Sequence, residues 1–131
     1  TRQRLNAHGI ALIALAAPTT SPARLARMAQ EAQGYLYYVS FAGVTGATGI
    51  DIAAVGERLL QLRQVVQVPV AVGFGIKDAA TARALALHAD GVVVGSALVD
   101  AIAKAVDSGD AARRASSFLA PIRAALGGVV A

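Results

Sequence analysis

Four short apolar runs, each followed by a stretch of helical periodicity, constrain this chain more than any other feature. They are "IALIALAA" at 10–17, "YLYYVS" at 35–40, "VPVAV" at 68–72 and "GVVV" at 91–94. Each has the length of a strand, and β-branched or aromatic residues mark the last three. None alternates apolar with polar residues, so they read as strands buried on both faces, as in a parallel sheet.

The segments between them carry helix signals. Ser21 precedes Pro22, an N-cap followed by proline at the first helical position. Leu25, Met28, Ala29 and Ala32 then make one apolar stripe, and Gly34 supplies a stop. Asp51 can cap a second helix with Val55, Leu59, Leu62 and Val66 on its core face. Asp78 can cap a third, "DAATARALALHA". After Ser96 come "ALVDAIAKAV" and a last amphipathic stretch, "DAARRASSFLAPIRAAL", in which Pro121 is expected to introduce a kink.

The order β-α-β-α-β-α-β-α-α requires parallel strands joined by right-handed crossovers. Two α/β architectures satisfy it. One is a doubly wound open sheet. The other is part of a (β/α)8 barrel, whose complete form needs ~250 residues. With 131 residues, 56% of them hydrophobic, the chain can build one core, and residues 1–131 read as a single domain without a linker.

Composition excludes several functions. There is no Cys, and His8 and His88 lie far apart, so neither a disulfide framework nor a metal site is expected. Both histidines read as solvated or helix-capping. No run approaches the ~18 apolar residues of a membrane span. The opening "TRQRLNAHG" lacks the apolar region of a signal peptide, so a cytoplasmic protein with no membrane partner is expected. The chain begins at Thr1 rather than Met, a hint that sequence is missing upstream. Net charge is +4, spread without a basic run and with only three Tyr and three Phe. That argues against nucleic acid and suits a small anionic ligand.

The glycines point to where such an anion would sit. The third run ends in Gly73-Phe74-Gly75, and the fourth ends in Gly95-Ser96. Backbone amides at a helix start attract anions, and glycine lets the anion approach closely. Two consecutive βα units ending this way at carboxyl ends match the usual phosphate seat of barrels, after their last two strands. Tight turns alone are the plainer reading. A third glycine-rich segment, residues 40–49, holds Gly43, Gly46 and Gly49. It is longer than an ordinary βα loop and reads as a mobile lid. Tyr35, Tyr37 and Val39 share one strand face. Tyr37 is either core packing or, with Phe74, a wall for a flat apolar ligand.

Taken in order, "GYLYYVSFAGVTGA", "VPVAVGFGI" and "ADGVVVGSALV" resemble the carboxyl-terminal half of the tryptophan synthase α subunit. "APTTSPARL" at 17–25 is similar to that family's loop and helix after its fifth strand. The resemblance spans essentially the whole chain. It implies a (β/α)8 barrel of which this chain holds about strands five to eight. It implies a lyase that reversibly cleaves indole-3-glycerol phosphate to indole and glyceraldehyde 3-phosphate in tryptophan biosynthesis. The partner would be the β subunit, in an α2β2 complex, and that subunit carries the pyridoxal phosphate; the α subunit needs no cofactor. Carried over residue by residue, the phosphate grip falls on Gly46, Gly73, Gly75, Gly95 and Ser96. Thr45 lies in the mobile loop, and Tyr37, Phe74 and Val93 line the indole pocket. Phe41 departs from members that carry a basic residue there.

Cleavage must protonate indole C3 and deprotonate a glycerol hydroxyl, work suited to positioned carboxyl groups. No strand interior here holds Asp or Glu. Asp90 stands before the last strand, at the wrong end of a barrel, and Asp51 and Asp78 read as helix caps. The family's catalytic Glu and Asp are expected upstream of Thr1, so no catalytic residue is assigned here. The chain alone is expected to be inactive and to self-associate through its open edges. The alternatives are another phosphate-binding barrel, of the histidine- or thiamine-biosynthesis type, and a non-catalytic phosphate-binding half-barrel.

Overall fold

The computed structural model describes residues 2–40 and 51–127. Its elements run α1 (Arg2–Ala7), β1 (Ala14–Ala16), α2 (Pro22–Glu31), β2 (Leu36–Val39), α3 (Ile52–Val65), β3 (Val70–Gly73), α4 (Ala79–Ala86), β4 (Gly91–Val93), α5 (Ser96–Ile102) and α6 (Ser108–Leu126). The four strands form one parallel sheet in the order β1-β2-β3-β4.

That order separates the two architectures. A right-handed crossover that always steps in the same direction places its helix on the same face. A doubly wound sheet needs a reversal of strand order, and there is none. All the crossover helices therefore form one layer, packed α2 on α3, α3 on α4 and α4 on α6. The core lies between this layer and one sheet face. Leu36, Tyr38, Val70 and Val72 point into it and meet Leu59, Leu62, Leu85 and Ile122, all 4% exposed or less.

The expectation of strands buried on both faces is corrected by this topology. Along β2 and the start of β3, alternate residues change sides: Leu36, Tyr38 and Val70 are buried, while Tyr37, Val39 and Ala71 are half-buried. On the helix-free face Leu15 is 59% and Tyr35 38% exposed. The apolar character of these strands is there for two faces, and only one is covered by this chain.

Local signals act largely as their chemistry demands. Ser21, Asp51 and Asp78 each accept the amide three residues on, Arg24, Ala54 and Thr81 respectively. Val55, Leu59, Leu62 and Val66 are all buried. The differences are three. Residues 10–13 of the first apolar run are not strand, and the short α1, closed by Gly9 at φ 67° with the Ile10 amide bonded to the Leu5 carbonyl, precedes them. Helix α2 ends at Glu31, so Gly34, with φ 68°, turns the chain into β2 rather than closing the helix. Helix α6 continues unbroken through the exposed Pro121, held by Ile122 and Phe118 against the core.

Candidate ligand-binding site

The carboxyl ends of β3 and β4 lie side by side, because Gly73 pairs with Val93. Beyond β3 the backbone enters an unusual turn. Phe74 has φ 111° and Gly75 φ 73°. A bulky residue at positive φ is strained, and such strain persists only where its surroundings hold it. Ile76, 3% exposed, anchors the far side of the turn in the core, and Asp78 then caps α4. Phe74 itself is 49% exposed.

Beyond β4, Gly95 is the N-cap of α5 and contributes no side-chain bond. Its carbonyl accepts from Leu98 and Val99 at 2.9 and 3.1 Å. The amides of Ser96 and Ala97, at the helix start, have no intrahelical acceptor. A Cβ built on Gly95 would meet nothing within 4 Å, so the space above it is open. Ser96 is exposed beside it.

Tyr37 reaches this region from β2. Its hydroxyl lies where a Gly73 side chain would be, and its ring carbons Cζ and Cε2 are 2.9 and 3.0 Å from that Cβ position. Gly73 is buried, and its carbonyl accepts both the amide of Ser40, at 3.0 Å, and the Ser40 hydroxyl, at 3.2 Å. The fully buried Ser40 thus ties the end of β2 to the end of β3. This corrects the expectation that a mobile lid begins at Ser40; the rest of that segment, 41–49, lies outside the described residues.

The structure therefore gathers Tyr37, Gly73, Phe74, Gly75, Val93, Gly95 and Ser96 at one end of the sheet. Val93 is half-buried on the helix-free face and borders a groove of about 320 Å3 with Tyr35, Ala71 and Gly91. Thr45 and Gly46, with Phe41, Gly43 and Gly49, lie outside the described residues. A separate cleft of about 570 Å3 opens between the β1–α2 loop and α3, lined by Thr20, Tyr38, Ser40, Asp51 and Arg58 among others. Burial pushes the Tyr38 hydroxyl above its ordinary pKa, and the Arg58 charge offsets part of that.

The carboxylates lie elsewhere. Asp90 is at the opposite end of the sheet, accepting the Val70 amide at 2.8 Å and pairing with Arg63. Asp51 and Asp78 are occupied as caps, and the Thr81 amide holds Asp78 below the usual carboxylate range. Glu31, Glu57, Asp100, Asp107 and Asp110 belong to helices or their caps. No strand residue is acidic. Among the described residues no group of three or more His, Asp or Glu could hold a metal ion. His8 is exposed, whereas His88 packs its ring against Gly56 of α3, 3.1 Å from that residue's Cβ position.

The sequence profile of the tryptophan synthase alpha chain matches residues 1–125. The chain belongs to the tryptophan synthase alpha chain family. It is 60% identical over 128 residues to the tryptophan synthase alpha chain of Xylella fastidiosa (strain 9a5c), covering 98% of this chain and 48% of that protein. Against the alpha chain of Xanthomonas oryzae pv. oryzae (strain PXO99A) it is 61% identical over 127 residues, covering 96% and 47%. Among solved structures, the tryptophan synthase subunit alpha of Legionella pneumophila str. Paris matches with a TM-score of 0.81 and 35% identity. That match covers 96% of this chain and 46% of the solved one. Tryptophan synthase from M. tuberculosis, in its open form with BRD0059 bound, matches at 0.75 and 29% identity, over 95% and 43%. The chain spans about half the length of the curated relatives it matches. Its four parallel strands are half of the family's (β/α)8 barrel, and the histidine- and thiamine-type alternatives fall away. No helix among the described residues is long and apolar enough to cross a membrane.

Proposed function

We propose that this chain supplies the phosphate- and indole-binding half of a tryptophan synthase α-type lyase, which cleaves indole-3-glycerol phosphate to indole and glyceraldehyde 3-phosphate. The observation that carries the reading is the juxtaposition of two turns. The strained Phe74-Gly75 turn and the open Gly95-Ser96 helix start leave adjacent, paired strands. The phosphate sits against Gly75, Gly95 and the Ser96 hydroxyl; the resemblance adds Gly46 to this grip and Thr45 as a loop contact, and both lie outside the described residues. Tyr37 and Phe74 flank the indole, with Val93 beneath it. Gly73 belongs to the seat as the residue whose missing side chain makes room for the Tyr37 hydroxyl.

The cleavage adds a proton at indole C3 and removes one from a glycerol hydroxyl as the carbon–carbon bond breaks. Each of the eight acidic residues is placed on helices, caps or the opposite end of the sheet. The chain by itself therefore binds and does not turn over. In a complete subunit its partner is the β subunit, which holds the pyridoxal phosphate, in the cytoplasm; the 131-residue chain alone pairs with a second copy.

Titration of glycerol phosphate tests the seat. Ser96→Ala should weaken binding by roughly 0.5–1.5 kcal/mol, the net value of one hydrogen bond. Gly95→Val should abolish it, since its side chain would enter space now open. Unchanged affinity in Gly95→Val would remove the phosphate from this position.

A further inference from the structure

The side chains buried among the described residues are hydrophobic with one exception, Ser40, which is 0% exposed. A buried hydroxyl costs stability unless it is hydrogen-bonded, so alanine would fill the position more simply. Nor does the sheet need the hydroxyl. Strand β2 is held to β3 in register from Leu36 with Val70 to Val39 with Gly73. The Ser40 amide, which any residue but proline would supply, continues that pairing onto the Gly73 carbonyl at 3.0 Å. The Ser40 hydroxyl adds a second bond to the same oxygen, at 3.2 Å and across 33 positions of sequence.

That oxygen controls the peptide unit between Gly73 and Phe74. A peptide is planar and trans, so a carbonyl pointed at β2 turns the Phe74 amide to the opposite side, toward β4 and the start of α5. Directly after this peptide the backbone enters φ 111° at Phe74 and 73° at Gly75. Strain of that kind persists only where the surroundings hold it. On the far side of the turn Ile76 is packed in the core. On the near side Gly73 has no side chain with which to lock its own peptide, and the Tyr37 hydroxyl occupies the room such a side chain would take. The hold has to come through the carbonyl, and both bonds to it come from Ser40. We infer that Ser40 is a positioning residue: its amide and hydroxyl together fix the Gly73–Phe74 peptide and so set the turn that stands beside Gly95. Ser40 itself touches no ligand; it acts through Gly73 and Phe74. What the turn binds rests on the lyase reading, and how the turn is held rests on the hydrogen bonds alone.

The test belongs in the full-length subunit and compares three variants. Ser40→Ala removes the hydroxyl and leaves the amide. Ser40→Thr keeps the hydroxyl. Asp90→Ala weakens the same strand at its other end, through the Val70 amide, and serves as a destabilised control. In Ser40→Ala without ligand, the amide 15N resonances of Phe74 and Gly75 should move; in Asp90→Ala they should stay. Glycerol phosphate affinity should fall about three- to tenfold in Ser40→Ala, the worth of one hydrogen bond. The KM for indole-3-glycerol phosphate should rise by a similar factor with kcat nearly unchanged, as expected for lost ligand binding without lost chemistry. Ser40→Thr should restore both, and Asp90→Ala should alter neither. Unmoved Phe74 and Gly75 resonances in Ser40→Ala would overturn the inference. So would weakening of Ser40→Ala and Asp90→Ala alike, in proportion to their urea midpoints, because the hydroxyl would then serve stability only. Moved resonances in a subunit whose wild type takes no glycerol phosphate would uphold the positioning of the turn and sink the lyase reading.

Discussion

One methyl group at Gly73 measures how closely the sheet and the binding residues are coupled. Gly73 lies outside the left-handed region, so alanine can adopt its backbone without strain. The obstacle is Tyr37. The added Cβ would overlap the Tyr37 hydroxyl and stand 2.9 Å from Cζ and 3.0 Å from Cε2. Either the ring swings out of its position or the two strands separate. The Ser40 bonds to the Gly73 carbonyl resist separation. Overpacking of this kind costs about 1–3 kcal/mol. In a Tyr37→Ala background the methyl group has room, and Gly73→Ala should become neutral or stabilise by about 0.4–1 kcal/mol, since alanine restricts the unfolded chain. Urea unfolding of the wild type, both single variants and the double variant, followed by far-ultraviolet circular dichroism, should give a coupling energy of about 1–3 kcal/mol. Tyr37→Phe should relieve only part of the penalty, because the Cζ contact remains. Gly75 provides the contrast: with φ 73° its alanine variant is strained through the backbone, at about 1 kcal/mol, whatever residue stands at 37. An equal Gly73→Ala penalty with and without the Tyr37 ring would refute the reasoning.

Other perturbations separate the two ends of the sheet and its two faces. Asp90→Ala should cost about 1–3 kcal/mol in urea unfolding, because it strands the Val70 amide at the start of β3; Arg63→Ala, which removes only the exposed pair, should cost about 1 kcal/mol or less. Burial raises the Tyr38 pKa, so the folded state keeps this proton when the unfolded chain has lost it. Stability should therefore fall as pH rises above about 10, and a pH series on Tyr38→Phe should show that part of the fall removed. Asp78 is depressed instead, so its cap contributes above the ordinary carboxyl range and is lost as pH drops through the folded-state value. Asp78→Ala should cost about 1 kcal/mol in unfolding at pH 7 and progressively less under acid.

Much of this was legible because local chemistry and topology agree. Asp51 and Asp78 cap their helices through bonds to residues three positions on, and the stripe Val55, Leu59, Leu62, Val66 is buried as its spacing requires. The turns after β3 and β4 were visible as Gly73-Phe74-Gly75 and Gly95-Ser96 at matching places. Contacts across strands were not legible. Nothing in "YLYYVS" says that the Tyr37 hydroxyl fills the space Gly73 leaves, or that Ser40 bonds to the Gly73 carbonyl, because both depend on the register of β2 with β3. The strained φ of Phe74 was equally hidden, since sequence preference would put glycine there. Burial was overestimated for a definite reason. An apolar run records the environment of a complete fold, and only one side of that environment is present in Leu15 and Tyr35.

The same asymmetry separates closure from catalysis. Whatever covers the helix-free face must supply apolar surface against Leu15 and Tyr35 and backbone partners for both edge strands. Proton transfer makes a different demand. The eight carboxylates stay where the fold puts them, on a helix, at a cap, or at the Asp90 end of the sheet. None is carried by a strand, so no acidic side chain stands at the end where Gly73 pairs with Val93 and where Gly95 opens α5. The proposed lyase reading therefore divides the work: these residues hold and orient a ligand, and the groups that move its protons have to come from the cover.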